Sequence, residues 1–386
     1  MSNPSSPSSY PSQVARLNDR QRQALLEPGN TVVLAGPGSG KTATLVLRIA
    51  RLLDALPPLQ GVACLTYGTE AAKEFESRLR GLGVYKGARL FMGTVHAFCL
   101  AHILLPFGWR LGATFNAFEV ASEEEMIAAR RAGLDAAGIN EDPRWWGSKV
   151  SAFRQIVSIQ PERADQFDDR LPAVAKAYRN ALRAGRRIDF DDIVLLSLKL
   201  VQEHEHVRRV LAAKFPWFVV DEYQDLGLPL HRIMTTLLDR GGMNTFIVGD
   251  PDQSIYGFNG ARPEFLDAMA ARSDVETIRL AINYRCRQEI IEASLHILQP
   301  DSERGFSAAE DLDAPEGEIF LHPCDDGLEQ QATVAVASIE RLIAAGVKPG
   351  DIGILGARWD DLIPFIARLE ERAIPLRGAT NTRQHR

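Results

Sequence analysis

The sequence has few of the features that mark secreted, metal-binding or membrane proteins. Its four cysteines, at positions 64, 99, 286 and 324, lie far apart, with no CxxC pair and no His/Cys cluster at zinc-ligand spacing. We therefore expect reduced cysteines that serve in packing. No apolar run approaches the roughly 18 residues of a membrane span. The N-terminus, MSNPSSPSSYPSQ, lacks the apolar segment and basic start of a signal peptide. These absences predict a cytoplasmic protein with no membrane partner. The richness of this N-terminus in Ser and Pro predicts a disordered tail over residues 1–15.

An excess of positive charge is also absent. The chain has 44 Lys and Arg residues against 50 Asp and Glu residues, which gives a formal net charge of −6. This balance argues against a protein that coats nucleic acid by bulk charge, although an acidic body can still carry a local basic groove. Charge alone therefore does not identify a partner.

Short apolar or β-branched runs recur along the chain, each ending in small or polar residues. The runs are TVVLAG, GVACLT, LFMGT, FVVDE, TFIVGD, TIRLAINY, EIFLHP and DIGILGA. Runs of this kind are typical of buried parallel strands. Several are separated by segments with helical spacing, such as TATLVLRIARLLDAL. The sequence therefore predicts an α/β fold built from βαβ units.

The domain organisation follows from length and from where the strand pattern stops. A chain of 386 residues exceeds what one small core usually holds, so we expect more than one domain. The strand pattern is missing from residues 97–188, whose Ala-, Arg- and Glu-rich segments predict a helical insertion. It interrupts a first α/β domain, 16–96 with 189–280, and a second, shorter α/β pattern covers 281–386. No repeat of fixed period is evident.

The motif AGPGSGKT, residues 35–42, follows a predicted strand and precedes a predicted helix. This context is what a phosphate-binding loop requires, because glycines let backbone N–H groups turn toward phosphates at the start of a helix. Lys41 would hold the β and γ phosphates, and Thr42 would hold Mg²⁺. The predicted nucleotide-binding residues of the loop are Ala35, Gly36, Gly38, Ser39, Gly40, Lys41 and Thr42. Ala35 stands where the strict pattern has its first glycine.

The run FVVDE ends in two acids, Asp221 and Glu222. One carboxylate at the end of a buried strand can bind Mg²⁺, and its neighbour can orient and deprotonate an attacking water. Taken alone, such a pair is usually a solvated turn. The phosphate loop upstream favours assigning Asp221 to the metal and Glu222 to catalysis.

Eight motifs in one order select a family. They are LNDRQ (17–21), AGPGSGKT, LTYGTEAAKEF (65–75), GTVH (93–96), DFDD (189–192), VDEYQD (220–225), VGDPDQSIYGFNGA (248–261) and NYR (283–285). In this order the chain resembles the UvrD, PcrA and Rep family of superfamily 1 DNA helicases. The resemblance covers nearly the whole chain after the tail, but only the first part of such a helicase. It implies a P-loop NTPase of tandem RecA-like lobes with parallel sheets, with the helical insertion in the first lobe and the second lobe incomplete.

The resemblance also implies roles for residues outside the phosphate loop. Gln21 would recognise the adenine edge and Tyr284 would stack on adenine, while Gln253 and Arg285 would touch the γ-phosphate as catalytic groups. The cofactors would be ATP and Mg²⁺. The activity implied is ATP-driven 3′-to-5′ translocation on single-stranded DNA, with strand separation, in repair, replication restart or phage defence.

Aromatic residues in the family's strand-contacting motifs predict the DNA surface. Stacking on side-chain rings tolerates any base, which suits a motor that walks on arbitrary DNA. The predicted contacts to single-stranded DNA or to single/double-strand junctions are Tyr67, His96, Phe190, Tyr256 and Phe258. For any one aromatic residue, core packing is the alternative.

Basic residues near the end of the predicted insertion could follow the phosphates of a strand. They are Lys176, Arg179, Arg183, Arg186 and Arg187, whose three- to four-residue spacing predicts one helical face. A solvated amphipathic face is the alternative interpretation.

Some residues depart from the family pattern. Gly68, Thr69 and Glu70 replace its usual Thr, Asn and Lys, and Val95 replaces a Phe, so the DNA contacts match less well than the hydrolysis residues. The family's later motifs, which deliver a further arginine to the γ-phosphate, have no match. Two other hypotheses therefore stay open. One is a truncated or split ATP-binding module that needs a partner chain for those motifs, and the other is a P-loop ATPase of unrelated purpose.

Overall fold

The computed structural model describes residues 10–66, 68–85, 87–112, 117–254, 257, 262–298, 305–310, 318–325 and 327–376. The chain divides into two compact units, Met1–Gly317 and Glu318–Arg386. The first unit thus extends past the boundary expected at residue 280, and the division into lobes predicted from the sequence stays a prediction. No described helix combines the length and the apolar character that crossing a membrane requires.

A six-stranded parallel sheet forms the centre of the first unit. The strands of the chain are β1 (Asn30–Ala35), β2 (Val62–Thr66), β3 (Leu90–Thr94), β4 (Glu119–Val120), β5 (Arg187–Ile188), β6 (Trp217–Val220), β7 (Asn244–Gly249), β8 (Val275–Leu280), β9 (Ile282–Asn283) and β10 (Ser307–Ala308). The sheet has the order β3-β2-β6-β7-β1-β8. Because every pair in it is parallel, all six carboxyl ends lie at one edge. The predicted α/β class is confirmed.

Both faces of this sheet are covered, which explains why its strands are apolar at successive positions. In β1, Val32 and Leu34 pack into one core cluster, whereas Val33 and Ala35 pack into another on the opposite face. Val33 pairs with Val248 of β7 on one side and with a β8 residue on the other. Alternation of side chains along a strand therefore builds two cores from one short apolar run.

Helices of the first unit cover the sheet and form the insertion. They are α1 (Tyr10–Ala15), α2 (Asp19–Leu26), α3 (Lys41–Ala55), α4 (Thr69–Gly81), α5 (Val95–Phe98), α6 (Leu105–Phe107), α7 (Glu123–Ala136), α8 (Gly147–Val157), α9 (Leu171–Ala184), α10 (Phe190–Glu203), α11 (Glu205–Lys214), α12 (Leu228–Gly241), α13 (Glu264–Ala270) and α14 (Gln288–Leu298). The described helices of the second unit are α15 (Gly327–Ala344) and α16 (Ile363–Glu371). A π-helical stretch, Cys99–Leu104, joins α5 to α6.

The disordered tail predicted for residues 1–15 is wrong for its last six residues, which form α1. Tyr10 and Val14 of this helix pack against a small cluster of buried leucines, and that apolar contact is what orders the segment. Residues 1–9 lie outside the described part of the chain.

The helical insertion has a core of its own, distinct from the two cores of the sheet. Its buried residues include Leu134 of α7, Trp146 beside α8, and Val174 of α9. The predicted insertion began at residue 97, but Phe98 and Ile103 pack into the sheet core instead. Strands β4 and β5, which the sequence did not predict, pair in parallel where the chain enters and leaves the insertion.

The second unit contains α15 and α16, which pack through Val336, Ile339 and Leu369. The strands predicted for EIFLHP and DIGILGA, residues 318–323 and 351–357, are not formed. A strand is stable only when neighbouring strands satisfy its backbone groups, and the described residues of this unit supply none. Leu321 and Leu355 are accordingly 90% and 98% exposed.

Candidate nucleotide site and nucleic-acid surface

The loop between β1 and α3 has the geometry of a phosphate cradle. Gly38 and Gly40 adopt positive φ angles of 70° and 82°, a conformation that favours glycine. A Cβ on Gly38 would lie 2.5 Å from the Asn283 side-chain oxygen, and one on Gly40 would lie 2.5 Å from Gln21 Nε2. Neither position can accept a larger residue without a shift of its neighbours, so both positions require glycine.

Side chains hold this loop in place at the start of α3. The Ser39 hydroxyl donates to the Gly36 carbonyl at 2.7 Å, and Gln21 Nε2 donates to the Ser39 carbonyl at 2.9 Å. Thr42 lies in the first turn of α3, where unpaired backbone N–H groups favour an anion. The structure thus brings together the predicted loop residues Ala35, Gly36, Gly38, Ser39, Gly40, Lys41 and Thr42 with Gln21.

The start of α2 links the two residues predicted to contact adenine. Asn18 and Gln21 form a reciprocal capping box, with N–H to side-chain oxygen distances of 2.8 and 3.0 Å. Asn18 Nδ2 also donates to the Tyr284 hydroxyl at 2.8 Å. Asn18 was not predicted as a site residue, although the spacing Asn-x-x-Gln at a helix start is a capping signal that could have found it.

The acidic pair lies beside the loop, at the carboxyl end of β6. Lys41 Nζ is 3.7 Å from Glu222 Oε2. Gln224, another residue that the sequence did not single out, donates to Glu222 Oε2 at 2.7 Å and accepts from the Asp250 backbone N–H at 3.1 Å. Glu222 has φ 51° and ψ 49°, a left-handed conformation that is unusual for a residue with a side chain. Its carboxylate is therefore oriented by its own backbone and by one amide.

Burial sets the electrostatics of this edge. Desolvation, with a smaller contribution from Glu222, raises the pKa of Asp221 to about 7. Desolvation likewise raises the pKa of Asp225 to about 6, and Lys41 opposes both shifts. Asp225 was not predicted, and a carboxylate four residues after Asp221 gives no sequence signal of its burial. The positive charge of Lys41 stabilises the ionised carboxylates that burial disfavours at this edge.

The Lys41 ammonium is shielded from solvent and has no hydrogen-bond acceptor in the described part of the chain. A buried ammonium without an acceptor fits an anionic ligand that would supply several oxygens. Thr42 and Asp221 offer a hydroxyl and a carboxylate, the hard oxygen donors that Mg²⁺ takes in addition to phosphate oxygens. No group of three or more His, Cys, Asp or Glu side chains among the described residues is arranged to hold a metal ion, so Mg²⁺ would depend on the nucleotide for further ligands.

The two residues predicted to sense the γ-phosphate lie on segments that meet this edge. Gln253 follows β7, and its Nε2 donates to Asp250 Oδ2 at 2.7 Å. Arg285 follows β9, and its backbone N–H donates to the side chain of buried Asn283 at 2.7 Å. The Tyr284 N–H donates to the Gly38 carbonyl at 2.9 Å, so this segment contacts the phosphate loop directly.

Phe306, just before β10, is a further residue that sequence reasoning missed. A Cβ on Gly36 would lie 2.6 Å from its ring, so the ring covers the phosphate loop at that point. Strand β10 pairs with β9 and holds Phe306 there. Its only sequence signal is one aromatic residue in a polar stretch, which is not specific.

Two of the five predicted DNA-contacting residues lie together. The rings of His96 and Phe190 are 5.8 Å apart and nearly perpendicular, and Phe190 is 53% exposed. Burial lowers the pKa of His96, which favours the neutral ring. Tyr67, Tyr256 and Phe258 lie outside the described residues.

The predicted basic face is only partly formed. Lys176, Arg179 and Arg183 lie on α9, but Arg186 follows the helix with a positive φ of 54°. Arg187 lies in β5, where it forms ion pairs with Glu119 and Glu125. The prediction of one continuous helical face is wrong because α9 ends at Ala184.

Comparisons with known proteins agree with this geometry. Residues 17–274 match the model of the UvrD/REP helicase N-terminal domain. The chain is 30% identical over 368 residues to the ATP-dependent DNA helicase UvrD2 of Mycobacterium tuberculosis strain H37Rv, covering 89% of this chain and 52% of that protein. It is 29% identical over 302 residues to the ATP-dependent DNA helicase PcrA of Staphylococcus epidermidis strain RP62A, covering 75% and 41% respectively. The chain spans about half the length of the curated relatives it matches.

Proposed function

The chain belongs to the UvrD/REP helicase family, and from that premise we propose that it hydrolyses ATP to move on single-stranded DNA. The finer proposal is 3′-to-5′ movement with separation of strands at a single/double-strand junction, in the cytoplasm. The observation that carries the ATPase proposal is the placement of Lys41 Nζ 3.7 Å from Glu222 Oε2 at the shared carboxyl edge of β1 and β6. A phosphate cradle and a general base in contact are the two parts that phosphoryl transfer to water needs.

The phosphate loop and Lys41 would bind the phosphates of ATP. The shielded ammonium has no hydrogen-bond acceptor of its own in the described chain, so phosphate oxygens would supply the acceptors it lacks. The loop glycines keep backbone N–H groups accessible, and the N-terminus of α3 adds favourable partial charge. Gln21 would meet the adenine edge and Tyr284 its face, since Asn18 ties both side chains together.

Glu222 would act as the general base for the attacking water. Gln224 fixes its carboxylate through a 2.7 Å hydrogen bond and is itself tied to the loop after β7. Asp221 and Thr42 would hold Mg²⁺, which when bound neutralises charge on the phosphate oxygens. The raised pKa of Asp221 fits this role, because a nearby cation favours the ionised carboxylate that burial otherwise disfavours.

Gln253 and Arg285 would report the γ-phosphate to the rest of the chain. The carboxyl edge of β1 and β6, which carries Lys41 and Glu222, is here called the nucleotide edge. Gln253 and Arg285 each belong to a segment that is hydrogen-bonded to it, Gln253 through Asp250 and Arg285 through the neighbouring Tyr284. Gln253 lies in the same motif as Tyr256 and Phe258, the proposed base-stacking residues. A change at the γ-phosphate could therefore reach the DNA strand through a few residues.

A second candidate function is an ATP-binding module that needs a partner chain for motor activity. The observation that favours it is the exposure of apolar side chains in the second unit, where Phe320, Leu321 and Leu355 are 71%, 90% and 98% exposed. These residues lie in extended segments without strand partners in the described part of that unit. Added strands from a partner would cover them and satisfy their backbone groups.

Steady-state ATP hydrolysis with and without single-stranded DNA separates the two functions. The Lys41→Ala variant, which removes the phosphate-binding charge, serves as the blank. Strong stimulation by DNA is expected from a motor, and it would exclude the dependence on a partner. Tight ATP binding with negligible turnover in both conditions would instead identify the partner-dependent module. Substantial ATP turnover that does not change when DNA is added would contradict both candidate functions and indicate a P-loop ATPase of another purpose.

A further inference from the structure

A cavity of about 170 Å³ lies where the insertion meets α10, away from the nucleotide edge. Its lining comes from α7, α8, α9 and the start of α10, and includes Met126, Arg130, Gly147, Val150, Tyr178 and Phe190. A cavity of about 150 Å³ is enough to bind benzene. The space therefore accommodates an aromatic ring of pyrimidine size.

The carboxylates that border this cavity already have hydrogen-bond partners in the protein. Arg154, only 5% exposed, binds Asp189 and donates to Asp192 at 2.6 Å. Tyr178 donates to Asp189 at 2.8 Å. Asp191 accepts from the hydroxyl of Ser151 at 2.9 Å and from a glutamine amide at 2.8 Å. These bonds fix the acidic border of the cavity and leave little acceptor capacity for a cationic ligand.

Arg130, in contrast, is a donor without a hydrogen-bond acceptor in the described part of the chain. In the described part of the chain it has no carboxylate or carbonyl partner, and its Nε is buried without an acceptor. Its guanidinium lies beside Gly147, since a Cβ there would be 3.4 Å from Arg130 Nη1. Apolar and aromatic groups of Met126, Val150 and Tyr178 line the same cavity. The other guanidinium in the lining, that of Arg154, is paired through its Nη atoms with Asp189 and Asp192, so Arg130 is the cation left for a ligand among apolar walls.

We propose that this cavity binds one unstacked base of the single-stranded DNA. A base offers carbonyl or ring-nitrogen acceptors to an arginine guanidinium, as thymine does with its two carbonyl oxygens, and a flat apolar face for the walls. A phosphate is a poorer fit, because the carboxylates of Asp189 and Asp191 also border the cavity and would repel it. The proposal rests on the proposed function, since it assigns a new subsite to the same DNA strand.

Phe190 connects the cavity to the proposed path of the strand. Its side chain lines the cavity, is 53% exposed, and contacts His96 edge to face. A strand that stacks one base on Phe190 would bring the next base to the cavity. The insertion would then hold the strand by a base, whereas the sequence had suggested phosphate contacts for it.

Filling the cavity tests the proposal. Gly147→Leu adds a side chain next to Arg130 at a position without a positive φ, and Gly81→Leu, at the end of α4 with nothing near its Cβ, is the matched control. Each protein is titrated with an oligothymidylate and with an abasic strand of equal length, using fluorescence anisotropy. The dissociation constant for the abasic strand divided by that for the oligothymidylate isolates the contribution of the bases.

Gly147→Leu is expected to reduce that ratio about tenfold, the effect of losing one bound base, and to leave affinity for the abasic strand unchanged. Gly81→Leu should change neither. An unchanged ratio for a folded Gly147→Leu protein whose hydrolysis still responds to DNA would overturn the cavity proposal while the proposed function stands. Wild-type protein that binds neither strand would overturn the proposed function itself.

Arg130→Met gives a second test that does not depend on filling the cavity. The change removes the donor and keeps much of the side-chain length. Affinity for the oligothymidylate is expected to fall about fivefold, with no change in the slope of log affinity against log salt concentration. A slope reduced by about one for both strands would assign Arg130 to a phosphate and overturn the base proposal. Affinity equal to that of wild type for both strands would overturn it as well.

Discussion

The nucleotide edge and the His96–Phe190 surface lie in the same compact unit but depend on different kinds of contact. At the nucleotide edge the polar side chains are held by hydrogen bonds from other segments, as Gln224 holds Glu222 and Asn18 holds Tyr284. At the His96–Phe190 surface two rings meet edge to face and one of them is half exposed. Charge placement needs fixed directions, whereas stacking needs only an accessible face.

This difference accounts for the unequal match to the family motifs. A substitution near Lys41 or Glu222 disturbs a network in which each group positions the next. A substitution on a stacking surface changes area and leaves the rest of the surface usable. The altered residues at 68–70 and at Val95 belong to motifs predicted to contact DNA, whereas Lys41, Thr42, Asp221 and Glu222 keep the family pattern.

The largest effect is expected from Glu222→Gln, which keeps the side-chain shape and removes the base. Turnover of ATP should fall about 10² to 10⁴-fold, while affinity for ATP stays within about threefold of wild type because the phosphate contacts remain. Steady-state hydrolysis and titration with a fluorescent ATP analogue measure the two quantities. Glu203→Gln, on the exposed end of α10, is the matched control. Turnover within about tenfold of wild type would exclude Glu222 as the base.

The next effect is a pH dependence of the free energy of unfolding, which we expect from His231 in α12. His231 contacts the Tyr223 hydroxyl at 3.0 Å and stacks on Phe265 at 4.3 Å, and burial lowers its pKa to about 4. The unfolded chain protonates this group near its ordinary pKa of about 6.5. The unfolded chain therefore binds more protons between these values, and the stabilising contribution of neutral His231 is lost as pH falls from about 6.5 to about 4.

Denaturant unfolding of wild type and His231→Gln at about pH 7.5 and about pH 5 measures this contribution. The difference in free energy of unfolding between the two proteins should shrink by about 2 kcal/mol at the lower pH. Taking the difference between proteins cancels the carboxyl groups, including Asp221, whose raised pKa acts in the opposite direction. A difference that does not change with pH would contradict the prediction.

A smaller effect is expected at the His96–Phe190 surface. Phe190→Ala should weaken binding of single-stranded DNA about tenfold, because one stacking platform is lost. Hydrolysis of ATP without DNA should not change, since among the described residues Phe190 makes no contact with the nucleotide edge. Tyr85→Ala, at an exposed aromatic residue after α4, is the control. Loss of DNA-independent hydrolysis in the Phe190 variant would show that the two regions are less separate than their contacts indicate.

The smallest effect is expected from Asn18→Ala, which removes the cap of α2 and the hydrogen bond to Tyr284. Affinity for ATP should fall about three- to fivefold, the effect of one such hydrogen bond. Tyr284→Phe removes only the hydroxyl and should have a smaller effect than Asn18→Ala. Equal affinities in all three proteins, measured by titration with the same ATP analogue, would remove Asn18 from the nucleotide site.

Much of the first unit could be predicted because its strands are local apolar runs that end in functional residues. The run TVVLAG became β1 with the phosphate loop at its end, and FVVDE became β6 with the acidic pair. The same pattern was misleading for EIFLHP and DIGILGA, since an apolar run pairs only when a neighbouring strand exists. Pairing is a property of the assembled sheet, which one short segment does not encode.

Membership in a motif did not reveal which of its residues contact the site. Asn283 lies in the motif NYR and Phe306 in no motif, yet both meet the phosphate loop, beside which β9 and β10 pair. Asp225 gains its raised pKa from burial, which no spacing reveals. Arg130 stands out because its buried Nε has no hydrogen-bond acceptor among the described residues. The sequence does not reveal this, because it does not show which groups surround the side chain.

The left-handed backbone at Glu222 also has a consequence for protein engineering. A residue with a side chain in this conformation costs about 1 to 2 kcal/mol relative to the right-handed region, and glycine would avoid most of that cost. A redesign guided by stability alone would therefore select Glu222→Gly. The resulting chain would be more stable, but it would have lost the carboxylate proposed to activate water, so thermal melting and turnover would rank this variant in opposite orders.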